Sequence, residues 1–297
     1  MAEFQFFCPQ CGQGIQCDTS YSATQIDCPI CKQAIVVPQA PRAASAVGAP
    51  APAKSRALRN ALVIAAAVMV LACLVIGGWY GFSKIKMHIA RGHLPPGLVS
   101  LWSGEGNAND SVGGSNGTMT GSAKFGPGRL GQGFVFNGRT GSGVTLGNPD
   151  SLQLQDFTIV AWVKRGSDTV VSYGSGGNAS LFDSGWGGGY LLGMLANGEV
   201  FFDNLGDVVP QNGPSITDTN FHHVALTKSG STVVFYLDGT AYPVPSYTTT
   251  FTFTSSIGFG YQSDSRDQSF LGTLDEVGFF NRALSATEIQ AIYTEQK

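Results

Sequence analysis

The chain has 297 residues, of which 43% are hydrophobic and only 12% charged, with a formal net charge of −3; this is more than one small domain needs. Lys and Arg number 17 against 20 Asp and Glu and form no basic stripe, so attraction to a phosphate backbone is excluded as a main source of binding and no nucleic-acid partner is expected. The 6 cysteines stand at 8, 11, 17, 28, 31 and 73, which leaves everything after position 73 without a disulfide framework.

Residues 1–38 read as a zinc ribbon. Cys8-Pro9-Gln10-Cys11 and Cys28-Pro29-Ile30-Cys31 are two C-x2-C knuckles separated by 16 residues, inside the spacing of a four-thiolate zinc site. Two tight turns, each aiming two sulfurs at one point, supply a closed tetrahedral shell, so Cys8, Cys11, Cys28 and Cys31 are expected to hold a structural Zn²⁺ without catalysis. The competing reading is a redox pair or two disulfides. Phe4 to Phe7 and Ala34 to Val37 read as short strands flanking the knuckles, and Cys17 as a bystander. The stretch resembles zinc-ribbon modules at the N-termini of bacterial membrane proteins.

Residues 39–57 are rich in Ala and Pro and read as an extended, semi-stiff linker. A transmembrane helix is expected over 58–83, because Ala61 to Phe82 carries no charge over 22 residues. As a helix that run spans about 33 Å, enough for a hydrocarbon core of about 30 Å. Trp79, Tyr80 and Phe82 suit the headgroup level, and Lys84 and Lys86 open the juxtamembrane segment 84–97. A cleaved signal peptide fits poorly, since about 60 residues precede the run, and a lipoprotein site at Cys73 fits poorly because the run continues beyond it. Flanking charges nearly tie, but thiolates bind zinc best where thiols stay reduced. The expected topology therefore places the N-terminus in the cytoplasm and residues 98–297 outside, in a bacterial envelope.

Residues 98–297 carry the all-β pattern of short β-branched and aromatic runs between Gly, Ser, Thr and Asn. Phe157, Ile159, Ala161 and Val163 alternate onto one strand face, and 224–227, 232–237 and 277–280 are comparable runs. Asn197-Gly198 and Asp238-Gly239 signal hairpin turns. Ser285 with Glu288 has capping-box spacing and predicts one C-terminal helix. The fold class is mainly β: a two-sheet jelly-roll sandwich with a small zinc ribbon and one transmembrane helix.

Leu98 to Trp102, Asn109-Asp110-Ser111, Gly131 to Gly138, Phe157 to Val163, Phe221 to Leu226, Tyr236 to Gly239, Leu274 to Val277 and Asn281 to Ser285 occur in that order. Together they resemble the motifs of laminin-G-like jelly-roll domains in the concanavalin A-like lectin/glucanase superfamily. Phe221 stands where that family usually has Trp, and Asn137 where Asp is common. The resemblance implies a structural Ca²⁺ tying the first strand region to the last strand, with Asp275 at the acidic position and Asp110 as a second oxygen donor. No linear motif supplies the six to eight oxygens that calcium takes.

Hydrolysis is not expected, so the protein reads as a non-enzyme. Retaining glycosidases of this shape need carboxylates about 5 Å apart at alternate strand positions, and no E-x-D-x-E run exists. Asp275 and Glu276 are adjacent, which in a regular strand sends their side chains to opposite faces. His222 and His223 fall inside a strand motif and suit packing or hydrogen bonding. The Gly-rich stretch 174–189 offers Trp186, with Asp183, as a surface aromatic for a sugar; packing of Trp186 under its own loop is the alternative. The function expected is a membrane-anchored, non-catalytic binding domain for carbohydrate or protein ligands. The alternatives are a carbohydrate-active hydrolase, or a sensor whose ribbon recruits a cytoplasmic partner.

Overall fold

The computed structural model describes residues 3–39, 94–205 and 211–297. The helix expected at 58–83 lies outside the described residues, as do nearly all of the 39–57 linker and most of the 84–97 segment. Among the described residues no helix is long and apolar enough to cross a membrane. The chain divides into two compact units, one with the N-terminal ribbon and one with the large β domain.

The ribbon consists of two hairpins. β1 (Glu3–Phe7) pairs antiparallel with β2 (Gly14–Asp18), and β3 (Gln25–Asp27) with β4 (Ala34–Val36). The outer strands β1 and β4 match the expected runs, and each knuckle is the turn of its hairpin. Phe6, Ile15, Ile35 and Val37 bury against Cys8 and Cys28. This core is too small to hold a fold by itself, which makes a metal the natural staple.

The large unit runs β5 (Leu98–Trp102), β6 (Thr118–Thr120), β7 (Lys124–Pro127), β8 (Gln132–Asn137), β9 (Gly143–Gly147), β10 (Phe157–Arg165), β11 (Asn178–Asp183) and β12 (Gly189–Leu195). It continues β13 (Glu199–Leu205), β14 (Gln211–Ser215), β15 (Phe221–Ser229), β16 (Thr232–Leu237), β17 (Thr240–Pro243), β18 (Ile257–Phe259), β19 (Leu271–Phe280) and helix α1 (Ala286–Gln296). One sheet orders its strands 17-16-15-10-19-8-7, with β5 also paired to β19; the other orders 14-13-12-11-18-9-6. Two antiparallel sheets with non-sequential neighbours form a jelly-roll sandwich.

The core lies between the sheets. Phe157, Ile159, Ala161 and Val163 all enter it, as their alternation predicts. Phe157 stacks on Tyr190 of the opposite sheet at 4.6 Å and on Phe279 of its own at 5.5 Å; burying such a side chain contributes about 1.5–3 kcal/mol. The other face of β10 is not solvated either. Val160 packs with Tyr236, Phe280, Leu284, Ile289 and Ile292 under α1, and Trp162 donates its indole N–H to Gln296 Oε1 at 2.9 Å. The capping box forms as expected, with Ser285 and Glu288 satisfying each other's backbone N–H.

Both predicted hairpin turns are present. Asp238 and Gly239 have φ of 50° and 80°, and Gly198 has φ of 87°. Regular alternation fails at one place. Between the pairs Val160↔Gly278 and Trp162↔Asp275, β19 carries one residue more than β10, and Glu276 takes φ of 49°. This β-bulge sends Leu274 and Val277, three positions apart, into the same core, so the strict alternation expected of Asp275 and Glu276 does not hold there.

Candidate functional site

Hydrogen bonds give the two knuckles one geometry. Cys8 N donates to Gln13 O and Gly12 N to Cys8 O, both at 2.8 Å; Cys28 N donates to Gln33 O at 2.9 Å and Lys32 N to Cys28 O at 3.0 Å. The residue after the second cysteine must be left-handed, and Gly12 and Lys32 have φ of 72° and 57°. The sulfurs of Cys8, Cys11, Cys28 and Cys31 all lie within 4.8 Å of one another, with Cys8 to Cys31 and Cys11 to Cys28 at 3.8 Å. Thiolates bound to a tetrahedral zinc at about 2.3 Å stand roughly 3.8 Å apart, so the set fits such an ion. Backbone amides of Cys31 and Ile30 pull the Cys28 thiol down to about 6, while against the Gln13 amide burial and the neighbouring thiols push Cys11 up to about 12. Cys17 stands outside the cluster.

The second feature is a rim of five loops on the sandwich. The β11–β12 turn carries Trp186 between Gly185, Gly187 and Gly188, whose φ values of 77°, 89° and 99° let the backbone fold tightly. Trp186 is 51% exposed, yet its backbone is held on both sides. Its N–H donates to Asp264 Oδ2 at 2.6 Å, its carbonyl accepts from Ser255 Oγ at 3.2 Å, and Thr252 N donates to Gly188 O at 2.9 Å. The loop 262–267 closes on itself through Gln262 N to Asp267 O and Arg266 N to Gln262 O. Ser175 N and Oγ donate to Asp267, and Gly141 N donates to Arg266 O at 2.6 Å. Tyr173, 62% exposed, is thereby brought to the same rim, with Arg139 over its ring at 5.8 Å.

Of the two residues expected to meet a ligand, only Trp186 is at the surface. Asp183 is fully buried beneath that loop, accepting from Ser263 N at 3.2 Å and Gly185 N at 3.3 Å, and burial raises its pKa well above the carboxylate range. Tyr173, Arg139, Arg266 and Asp264 were not legible as site residues. Tyr173 lies one position before the Gly-rich stretch and had the same aromatic-in-glycine signal; the arginines, 127 positions apart, had none.

The residues implied for calcium are spent on separate backbone groups. Asp110 accepts from Leu101 N, Val112 N and Ser115 N at 2.9–3.0 Å. Asp275 accepts from Leu130 N at 2.9 Å and Glu276 N at 2.8 Å, and burial, then the charge of Glu276, raises its pKa well above the usual range. The histidines divide. His222 bonds Asp238 at 2.7 Å through Nδ1 and Asp218 at 3.1 Å through Nε2. His223 is buried against Trp162 and Tyr293, and burial lowers its pKa to about 4.

Two packed antiparallel sheets with an outer-face helix and an aromatic-bearing loop rim define a lectin-like β-sandwich. The chain belongs to the concanavalin A-like lectin/glucanases superfamily in its laminin-G-like form, whose family model matches residues 137–290. No curated protein sequence matches the chain. Among solved structures it is similar to domain 4 of AbnA, an extracellular GH43 arabinanase from Geobacillus stearothermophilus, in complex with arabinotriose. That likeness has 20% identity and a TM-score of 0.53, covering 66% of this chain and 97% of that one. It is also similar to the binding domain of Paraclostridial Mosquitocidal Protein 1, at 18% identity and a TM-score of 0.54, covering 66% and 52%. The sialidase of Trypanosoma rangeli in complex with sialic acid shares 20% identity at a TM-score of 0.54, covering 76% and 38%. The chain thus spans about half or less of the latter two proteins, and at these identities the likeness is one of fold.

Proposed function

We propose that the protein is a single-pass membrane protein that displays the sandwich outside the cell to hold a glycan without turnover, with the ribbon on the cytoplasmic side as a structural zinc module. The observation that carries this reading is Trp186, half exposed on a loop whose backbone is held by Asp264 and Ser255. An aromatic face presented at low entropic cost is the physical basis of sugar stacking. Absence of turnover is supported by the buried acids, since Asp110, Asp183 and Asp275 all bind backbone amides rather than facing a cleft as a pair. Among the solved folds of this shape, AbnA domain 4 was captured with arabinotriose, which favours carbohydrate as the ligand class.

Glycan-array binding by the full chain, run beside a reducing-end assay on the same sugars, tests the reading. Binding lost in Trp186→Ala with no product above buffer is expected; product release or unchanged binding overturns it. A structural calcium held by Asp275, with Asp110 as a second oxygen donor, stays part of this reading, so calcium added to calcium-free protein is expected to raise the melting temperature; no bound metal and no shift would remove it.

A second reading is favoured by the ribbon, where Phe7, Tyr21, Ile30 and Val36 are each more than half exposed on a unit of under 40 described residues. Such a surface suits recruitment of a protein partner. Capture of one reproducible partner by the intact chain, lost in Phe7→Ser with Ile30→Ser, is the expected result.

A further inference from the structure

We propose that the rim around Trp186 selects acidic oligosaccharides, with Trp186 and Tyr173 as two stacking platforms and the guanidinium groups of Arg139 and Arg266 clamping a sugar carboxylate. The proposal rests on the glycan-binding reading above and names the ligand class for that same site.

The platforms belong to one structural unit. Trp186 is anchored to Asp264, and the Tyr173 loop is anchored through Ser175 to Asp267, so both aromatics are fastened to the single closed loop 262–267. Tyr173 N also donates to Gly138 O at 2.8 Å, which fixes it beside the segment bearing Arg139. Two exposed rings on neighbouring loops of one rim can engage more than one sugar unit of a chain.

The charges of the rim are unequally committed. Asp264 accepts from Trp186 N at 2.6 Å and Ser265 N at 2.7 Å, one bond to each oxygen. Asp267 accepts from Ser175 N and Oγ. These carboxylates therefore hold the loops together. Arg139 and Arg266 are exposed, and among the described residues neither guanidinium is in an ion pair. Arg139 lies over Tyr173 at 5.8 Å, and the backbone of Arg266 is tied to the turn that carries Arg139 by the bond from Gly141 N to its carbonyl. What the rim has left to offer a ligand is donor capacity from two planar forks, which matches the geometry of a carboxylate. The four charges sum to zero and the whole chain is acidic, so selection must come from these short-range bonds rather than from a long-range field.

Calorimetric titration of the full-length protein with tetragalacturonate and with galactotetraose, a neutral chain of equal length, tests this. The acidic sugar is expected to bind about 10-fold tighter or more, the range of one or two charge-assisted hydrogen bonds. The double variant Arg139→Gln with Arg266→Gln is expected to erase that preference, and Trp186→Ala to abolish binding of both sugars. Equal or tighter binding of the neutral chain, no binding of tetragalacturonate, or a preference that survives the double variant overturns the acidic clamp. If Trp186→Ala nonetheless removes neutral binding, the glycan reading stands while the clamp falls. If Trp186→Ala binds both sugars as wild type does, the rim itself is overturned.

Discussion

Asp264 and Trp186 are joined by a 2.6 Å hydrogen bond from the Trp186 backbone N–H to Oδ2, across 78 positions of sequence. The carboxylate thereby fixes the attitude of an exposed aromatic through its backbone. Removing it with Asp264→Ala frees the turn, so ligand affinity should fall about 5- to 30-fold, the scale of 1–2 kcal/mol of lost order. Asp264→Asn keeps an acceptor oxygen and should restore most of that loss. Melting temperatures should stay within a few degrees in both, because Asp264 is exposed. Titration of the two variants with one glycan checks this; equal losses in both would show that charge, not positioning, is at work.

The four-sulfur cluster predicts one zinc per chain. Cys8→Ser or Cys28→Ser should lose the metal and unfold the ribbon, since binding energy and folding energy are one quantity in such small units. Cys17→Ser should keep full metal content, because Cys17 lies outside the cluster. Elemental analysis and chelator competition on the purified variants distinguish the two outcomes.

The adjacent histidines should respond to pH with opposite signs. Burial would lower the His222 pKa, but Asp238 and Asp218 hold it above 6.5. Its contribution to stability is therefore complete below the unfolded value and lost as pH rises through the folded one. His223 is buried with neither ring nitrogen hydrogen-bonded and its pKa lowered to about 4. The unfolded chain then binds the extra proton between roughly pH 6.5 and 4, and stability falls on acidification by an amount on the order of 3 kcal/mol. Thermal melts across pH 4 to 8 should show His222→Gln flattening the alkaline side and His223→Phe flattening the acid side. In His223→Phe the gain should be largest near pH 4.

The capping box of α1 should be worth about 1 kcal/mol. Ser285→Ala removes the acceptor for Glu288 N while leaving the bidentate Arg282–Glu288 pair at 2.6 and 3.0 Å. Loss of stability without loss of the helix is expected in denaturant unfolding followed by circular dichroism.

Local chemistry was readable along the chain. The C-x2-C spacing gives the four-sulfur cluster, because the ligands of each knuckle sit in one turn and the turns repeat the same hydrogen bonds. Alternation in 157–163, the turn residues Asp238-Gly239 and the Ser285 box likewise specify strand, hairpin and helix start, since each rests on contacts within a few residues. Tertiary structure decided what periodicity cannot encode. It inserted a bulge at Glu276 that overrides alternation, buried Asp183 beneath the turn it was expected to decorate, and left Trp186 in solvent. It also tied the loops that carry Tyr173, Arg139, Arg266 and Trp186 to one another through bonds between positions far apart in sequence. Those long-range pairings are set by how two sheets close over a shared core, and no window of the sequence contains them.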